Sequence, residues 1–215
     1  MSKAGRLIYE GLITAWDGFW VVWVSDLLWV AFCLPVVTAP LAFAGLYECA
    51  HGLSYGQSIT WRTFFSGMKR HLGASYRWAA FNLFVLTVLV FYAWFFSPSK
   101  GTLSGLRTGL LGGVPLAVMV LWWAVNQFTF PLMLVQAKPS YMNALRNSLV
   151  IWLKWPGVSL GFTLFNLAII GLSILLRFPW LFIGASLPAL MACLCVKYTV
   201  DQTQGISSTL TGNIK

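Results

Sequence analysis

Trp20-Val-Val-Trp-Val-Ser25-Asp26-Leu-Leu-Trp-Val30-Ala-Phe-Cys-Leu-Pro35-Val-Val-Thr-Ala-Pro40-Leu-Ala-Phe-Ala-Gly45-Leu46 carries one charge, Asp26, and two prolines. A bilayer core of roughly 30 Å is crossed by about 20 apolar residues in a helix. Open strands are excluded there, because lipid leaves unpaired backbone groups unsatisfied. The stretch therefore reads as a membrane helix to about Leu34, a kink over Pro35–Pro40, and a helical continuation toward Glu48. Each proline lacks an N–H and its ring clashes with the carbonyl four residues back. The expected repair is a Thr38 hydroxyl on a freed carbonyl, completed by an amide such as Asn82, with the kink packed on a neighbouring span. A secretory signal peptide cleaved after Ala42-Phe43-Ala44 is the rival reading. The long polar leader with Glu10 and Asp17 fits it poorly.

The rest of the chain agrees in character. Of 215 residues 9% are charged, 59% are hydrophobic and 16% are aromatic, and mean hydropathy is +0.77. A soluble domain carries about a quarter charged residues. Four more apolar stretches follow, at about Tyr76–Phe96, Leu110–Val135, Pro156–Leu176 and Phe178–Val196. Arg177-Phe178-Pro179 divides the last two, as a tight hairpin or one interrupted region. The expected fold is all-α: about five spans in a single membrane domain over 1–200, with a polar tail over 201–215. Before the first span, Ile8, Leu12, Ala15, Trp16 and Phe19 recur at helical spacing, which suits a helix lying in the interface.

Net charge is +9, but the cations sit between spans, so topology accounts for them without nucleic acid. Arg62, Lys69, Arg70 and Arg77 follow span one; Lys138, Arg146 and Lys154 follow span three; Lys197 and Lys215 lie at the C-terminus. Lys3, Arg6, Lys100, Arg107 and Arg177 fall on the other side. Cytoplasmic loops collect Lys and Arg, so the basic loops and C-terminus are expected in the cytoplasm and the N-terminus outside.

Two segments share an ordered pattern. Thr38-Ala-Pro40-Leu41, a basic amphipathic stretch and Phe81-Asn82-Leu83 match Thr129-Phe-Pro131-Leu132, a second such stretch and Phe165-Asn166-Leu167. The order suggests a parallel repeat of two-helix units, with Pro131 kinking its span as Pro35 and Pro40 do theirs. In the first basic stretch Trp61, Phe64, Phe65, Met68 and Leu72 share one helical face, with Arg62, Lys69 and Arg70 toward the other. In the second, Tyr141, Met142, Leu145, Leu149 and Trp152 form the stripe beside Arg146 and Lys154, with Ser140 as N-cap. Such helices lie at anionic headgroups or dock another membrane protein.

Polar groups at membrane depth are candidate functional groups. These are Asp26, Asn82, Asn126, Gln127 and Asn166. Asp26 also reads as a group reaching the interface, and the amides as interhelical or backbone-repairing bonds. No Walker sequence or serine elbow is present. Cys33, Cys49, Cys193 and Cys195 have no metal-site spacing and behave as small apolar residues. His51 and His71 lie in the first basic loop and are expected to have no carboxylate or cysteine partners of a metal site. No cofactor, metal or catalytic group is expected.

The run Leu28-Trp29 through Leu34-Pro35-Val-Val-Thr38-Ala-Pro40, with Ala44-Gly45-Leu46, Trp61-Arg-Thr-Phe64-Phe65 and Asn143-Ala-Leu145-Arg146-Asn147-Ser148, resembles the YesL family of bacterial membrane proteins, a domain of unknown function. The resemblance covers most of the chain. Members of that family are often encoded beside binding-protein-dependent sugar importers. It implies a non-enzymatic accessory of an ABC-type carbohydrate importer in the bacterial cytoplasmic membrane, with permease subunits as partners. It carries no catalytic residues over. The amides in the spans suggest the alternative, a small carrier or channel for a polar solute. In a cysteine-free background, Ser66→Cys and Ser104→Cys should label from opposite sides of the membrane; equal labelling by an impermeant outside reagent would overturn this topology.

Overall fold

A computed structural model describes residues 3–95, 106–136, 139–176 and 184–203. The described residues are helical, without strands. The helices are α1 (Lys3–Asp17), α2 (Phe19–Cys33), α3 (Ala39–Ser54), α4 (Trp61–Arg70), α5 (Leu72–Phe95), α6 (Leu106–Asn126), α7 (Thr129–Val135), α8 (Tyr141–Lys154), α9 (Pro156–Leu176) and α10 (Ser186–Thr203), with a 3-10 turn over Val36–Thr38 between α2 and α3.

Two segments, Leu72–Phe95 and Gly113–Val135, are each long and apolar enough to cross a membrane. Two bent pairs raise the number to four if each counts as one span: Ala4–Asp17 with Phe19–Cys33 at 85°, and Tyr141–Lys154 with Pro156–Leu172 at 108°. In each pair a charged amphipathic helix turns sharply into an apolar one. The Arg177-Phe178-Pro179 connection and most of the tail lie outside the described residues. So does the start of the expected fifth stretch, whose remainder belongs to α10.

The proline element corrects the kinked-helix expectation. It reverses the chain. A side chain at Gly18 would meet Leu53 Cδ1 at 2.8 Å, and the Trp29 and Phe43 rings lie 5.4 Å apart. The two ends of α2 and α3 therefore pair antiparallel about the turn. Pro35 denies α2 its next N–H, and Pro40 begins α3 within its first turn, where a missing N–H is harmless. The Thr38 hydroxyl donates to the carbonyls of Phe32 and Pro35, and Tyr76 Oη–H donates to the Val37 carbonyl at 3.0 Å. Asn82 takes no part. Nor is the turn packed away: Leu34, Val36 and Val37 are 80%, 82% and 74% exposed. Pro131 lies buried inside α7, just past a break at Gln127–Phe128 that leaves α6 and α7 within one candidate span.

Glycine brings α4 onto α3. A Cβ on Gly45 would meet the Phe64 carbonyl at 2.8 Å, and one on Gly67 would meet Glu48 Cβ at 2.5 Å. At this crossing Glu48 reaches Arg70 and His71, each at 3.2 Å. His71 thus has a carboxylate partner that a 23-residue separation hides in the sequence. Thr60 caps α4 reciprocally with Thr63. Ser140 occupies the N-cap position of α8, but its side chain makes no cap bond; Gln136 Oε1 accepts from the Ser140 N–H instead.

The centre of the molecule is α10, packed against α1, α2, α3, α7 and α9. Ala189 through Val196 are all buried. Small Ala192, Cys193 and Cys195 let neighbours approach, and the four cysteines are free thiols. Its N-terminus is held by Asp26, which is 0% exposed. Asp26 Oδ1 accepts from the N–H of Ser186 at 2.8 Å and of Ala185 at 3.3 Å. A carboxylate there satisfies orphan helix donors and meets the positive end of the helix dipole. Ser186 Oγ–H donates back to the Val22 carbonyl at 3.1 Å. Asp26→Ala should therefore lower unfolding stability in detergent by about 1–3 kcal/mol, with Asp26→Asn, which keeps an acceptor, losing less. Equal thermal midpoints for wild type and Asp26→Ala would show that the cap holds nothing.

Candidate functional site

The amides singled out from sequence meet around one cavity. Asn82 comes from α5, Asn126 from the end of α6, Gln127 from the α6–α7 break, and Asn166 from α9. All four line an open cavity of about 700 Å³ between α2, α3, α5, α6, α9 and the start of α10. Asp26 does not join them; it is used at the α10 cap.

Two hydrogen-bond chains order these amides. In the first, Trp122 Nε1–H donates to Asn82 Oδ1 at 3.0 Å. Asn126 Nδ2 donates to the same oxygen at 2.5 Å, and Asn82 Nδ2 donates to the Trp78 carbonyl at 2.8 Å. In the second, Thr163 Oγ1–H donates to the Ser159 carbonyl at 2.8 Å. Gln127 Nε2 donates to Thr163 Oγ1 at 2.7 Å, and Asn166 Nδ2 donates to Gln127 Oε1 at 2.8 Å.

The orientation of each amide follows from chemistry. An indole N–H is only a donor, so Asn82 must present oxygen to Trp122. Asn126, facing that oxygen, must present nitrogen. The Thr163 hydroxyl has its proton on Ser159, so Gln127 must present nitrogen to it and oxygen to Asn166. Each chain therefore ends on a carbonyl oxygen, Asn126 Oδ1 and Asn166 Oδ1. Both are buried without a hydrogen-bond partner among the described residues. An unmet buried acceptor costs about 1–3 kcal/mol.

The rest of the wall is aromatic and aliphatic. Trp29, Phe43, Tyr47 and Trp78 form one side. Phe43 and Trp78 ring centroids are 5.6 Å apart, and Phe130 lies 5.5 Å from Trp78 and 5.0 Å from Tyr47. These edge-on and stacked pairs set the wall rigidly. Among the described residues, no Asp, Glu, Lys, Arg or His lines the cavity. Beneath it, α8 is tied to the end of α6 by Trp152 Nε1–H on the Ala124 carbonyl at 3.0 Å and by Ser148 Oγ–H on the Val125 carbonyl.

The basic helices sit elsewhere. On α4, Phe64 and Met68 are buried against α3, while Trp61, Arg62, Lys69 and Arg70 are exposed. On α8 the buried line is Ala144, Ser148 and Ile151; of the apolar stripe, Tyr141 and Trp152 pack partly against the core while Met142 and Leu149 face outward. Met142, Leu149 and Leu153 are exposed, with Arg146 between them and Lys154 beside them. The Lys154 ammonium lies 4.6 Å over the Trp155 ring. Among the described residues no three His, Cys, Asp or Glu side chains gather as a metal site would need. What the sequence missed is the aromatic wall, assembled from α2, α3 and α5, and the Trp122 anchor, brought to Asn82 by the α5–α6 pairing. No family model, curated protein or solved structure matches this chain.

Proposed function

We propose that the chain is a non-enzymatic, multi-pass protein of the bacterial cytoplasmic membrane that binds a small uncharged molecule within its helix bundle. Its basic segments face the cytoplasm, and α5 and α9 with their preceding helices form the two units of a parallel repeat. The observation that carries the binding reading is the cavity of about 700 Å³ with four amides and, among the described residues, no charged residue in its lining. A ligand site is commonly a concave, mostly apolar space with a few convergent polar groups. Asn82 and Asn166, the matched residues of the repeat, come from opposite units and meet at that space.

Purified protein in nanodiscs, heated with glucose, glycerol, farnesol or a long-chain alcohol, tests this. A bound compound at a hundredfold excess over its Kd should raise the midpoint by roughly 5–10 °C. It should leave Ile170→Trp, which fills the cavity, unmoved. If every compound shifts the two proteins equally, the binding reading fails.

The outward faces of α4 and α8 favour a second, compatible role as an accessory of an ABC-type carbohydrate importer. Exposed Trp61 and Arg62, and the Met142–Arg146–Leu149–Leu153 line, offer apolar and cationic groups together. That combination suits anionic headgroups and also the flank of a permease subunit. Affinity purification of a tagged copy from mild detergent should recover permease subunits, and Leu149→Glu with Leu153→Glu should reduce recovery several-fold. Purification without any permease subunit would remove this role.

A further inference from the structure

The cavity is asymmetric along the helices. Its amides lie at one level; one turn or more beyond them come Leu86 on α5, Leu116 on α6 and Ile170 on α9. All three line the cavity; Leu86 and Leu116 are exposed and Ile170 is half-buried. The outer surface beyond them is apolar: Val90 and Phe91 on α5, Val114 on α6 and Leu172 on α9 are each at least half exposed. The cavity is open and not sealed, and its aliphatic end lies within this apolar belt.

We infer that the cavity takes a neutral amphiphile from the bilayer: an apolar body with a single hydroxyl or amide N–H head, the head donating to Asn126 Oδ1 or Asn166 Oδ1. This rests on the binding reading above and names its ligand class. Charge is disfavoured by the wall, since among the described residues an ion there has no counter-charge. A sugar is disfavoured because only the amide end offers partners. Its remaining hydroxyls would lie stripped of water against tryptophan and leucine. A phospholipid tail fits the aliphatic end but leaves both amide oxygens unmet. The head must be a donor, because the two chains of bonds leave oxygens, not N–H groups, at their ends. Both oxygens are covered by neighbouring atoms, so a turn of the amide side chain accompanies binding. The aromatic wall packs the body, as rigid faces at low entropic cost do.

The probe is a bromine-bearing long-chain alcohol, compared in nanodiscs with its methyl ether and with a brominated phospholipid. Trp29, Trp78, Trp122 and Trp123 line the cavity, so occupancy reads as saturable quenching of tryptophan fluorescence. The alcohol should half-saturate at about a tenfold lower concentration than the ether, the size of one lost buried hydrogen bond. Asn126→Leu and Asn166→Leu should each narrow that gap at least threefold. Ile170→Trp should abolish saturation. Equal concentrations for alcohol and ether, or equal quenching by the phospholipid, overturn the inference, and the wild-type comparison alone decides this if a variant fails to fold. Glucose competing with the alcohol would sink the amphiphile while leaving the cavity a binding site. No saturable ligand of any class, with Ile170→Trp indistinguishable from wild type, would sink the binding reading itself.

Discussion

Lipid gives a polar group nothing to bond with, and much of this architecture follows from which buried polar atoms find partners inside the protein and which do not. Asp26 is the extreme case. This carboxyl with no exposed surface receives the first N–H groups of α10 on its Oδ1, while Oδ2 is buried without a partner among the described residues. Those donors would otherwise be orphans. One interaction thus answers two deficits, and it fixes α2 against the N-terminus of the central helix. Ser186 completes the joint from the other side by taking a carbonyl of α2. With that end pinned, the small residues of α10 pack against α3 along its length, as far as Lys197, whose ammonium donates to the Ser54 carbonyl at 2.8 Å.

The same accounting explains the proline turn. Two prolines within six residues strip donors from the backbone, so carbonyls near Phe32, Pro35 and Val37 need replacements. A threonine hydroxyl and a tyrosine from α5 provide them. The repair is local plus one long-range bond, and this permits the chain to reverse instead of merely bending. Once reversed, α2 and α3 can offer their aromatic residues to the same space. The Trp29–Phe43–Trp78 wall of the cavity is a product of the turn.

Much of this was legible in the sequence, and the limits have physical reasons. Helical class follows from hydropathy, because lipid admits so few alternatives. The boundaries near Trp61 and Tyr141 follow from amphipathic spacing, and Asn82, Asn126, Gln127 and Asn166 stand out because amides in apolar runs need partners. Pairings between distant residues were not legible. His71 looked isolated, yet Glu48 lies beside it through the glycine-mediated approach of α4 to α3. The reversal at Pro35–Pro40 was read as a bend because proline chemistry predicts a broken helix without saying in which direction the chain leaves. On α8 the apolar stripe is legible, but not the inward line of Ala144 and Ser148, because a helix tied by hydrogen bonds to the end of α6 needs small residues at the crossing.

The amide cluster shows why a satisfied network and an available site are not opposites. If all four amides were fully paired, the cavity end would be inert, and an apolar core would serve the fold as well. Instead each chain of bonds is anchored at one end by a group with no freedom of choice, an indole N–H or a committed threonine hydroxyl. Direction then propagates along the chain, and the shortfall is delivered to the last oxygen. Asn126 and Asn166 receive it from different helices, next to the same aromatic-walled space. Two unmet acceptors at one end of an uncharged cavity make a specific demand on any occupant: it must bring a donor and little other polarity.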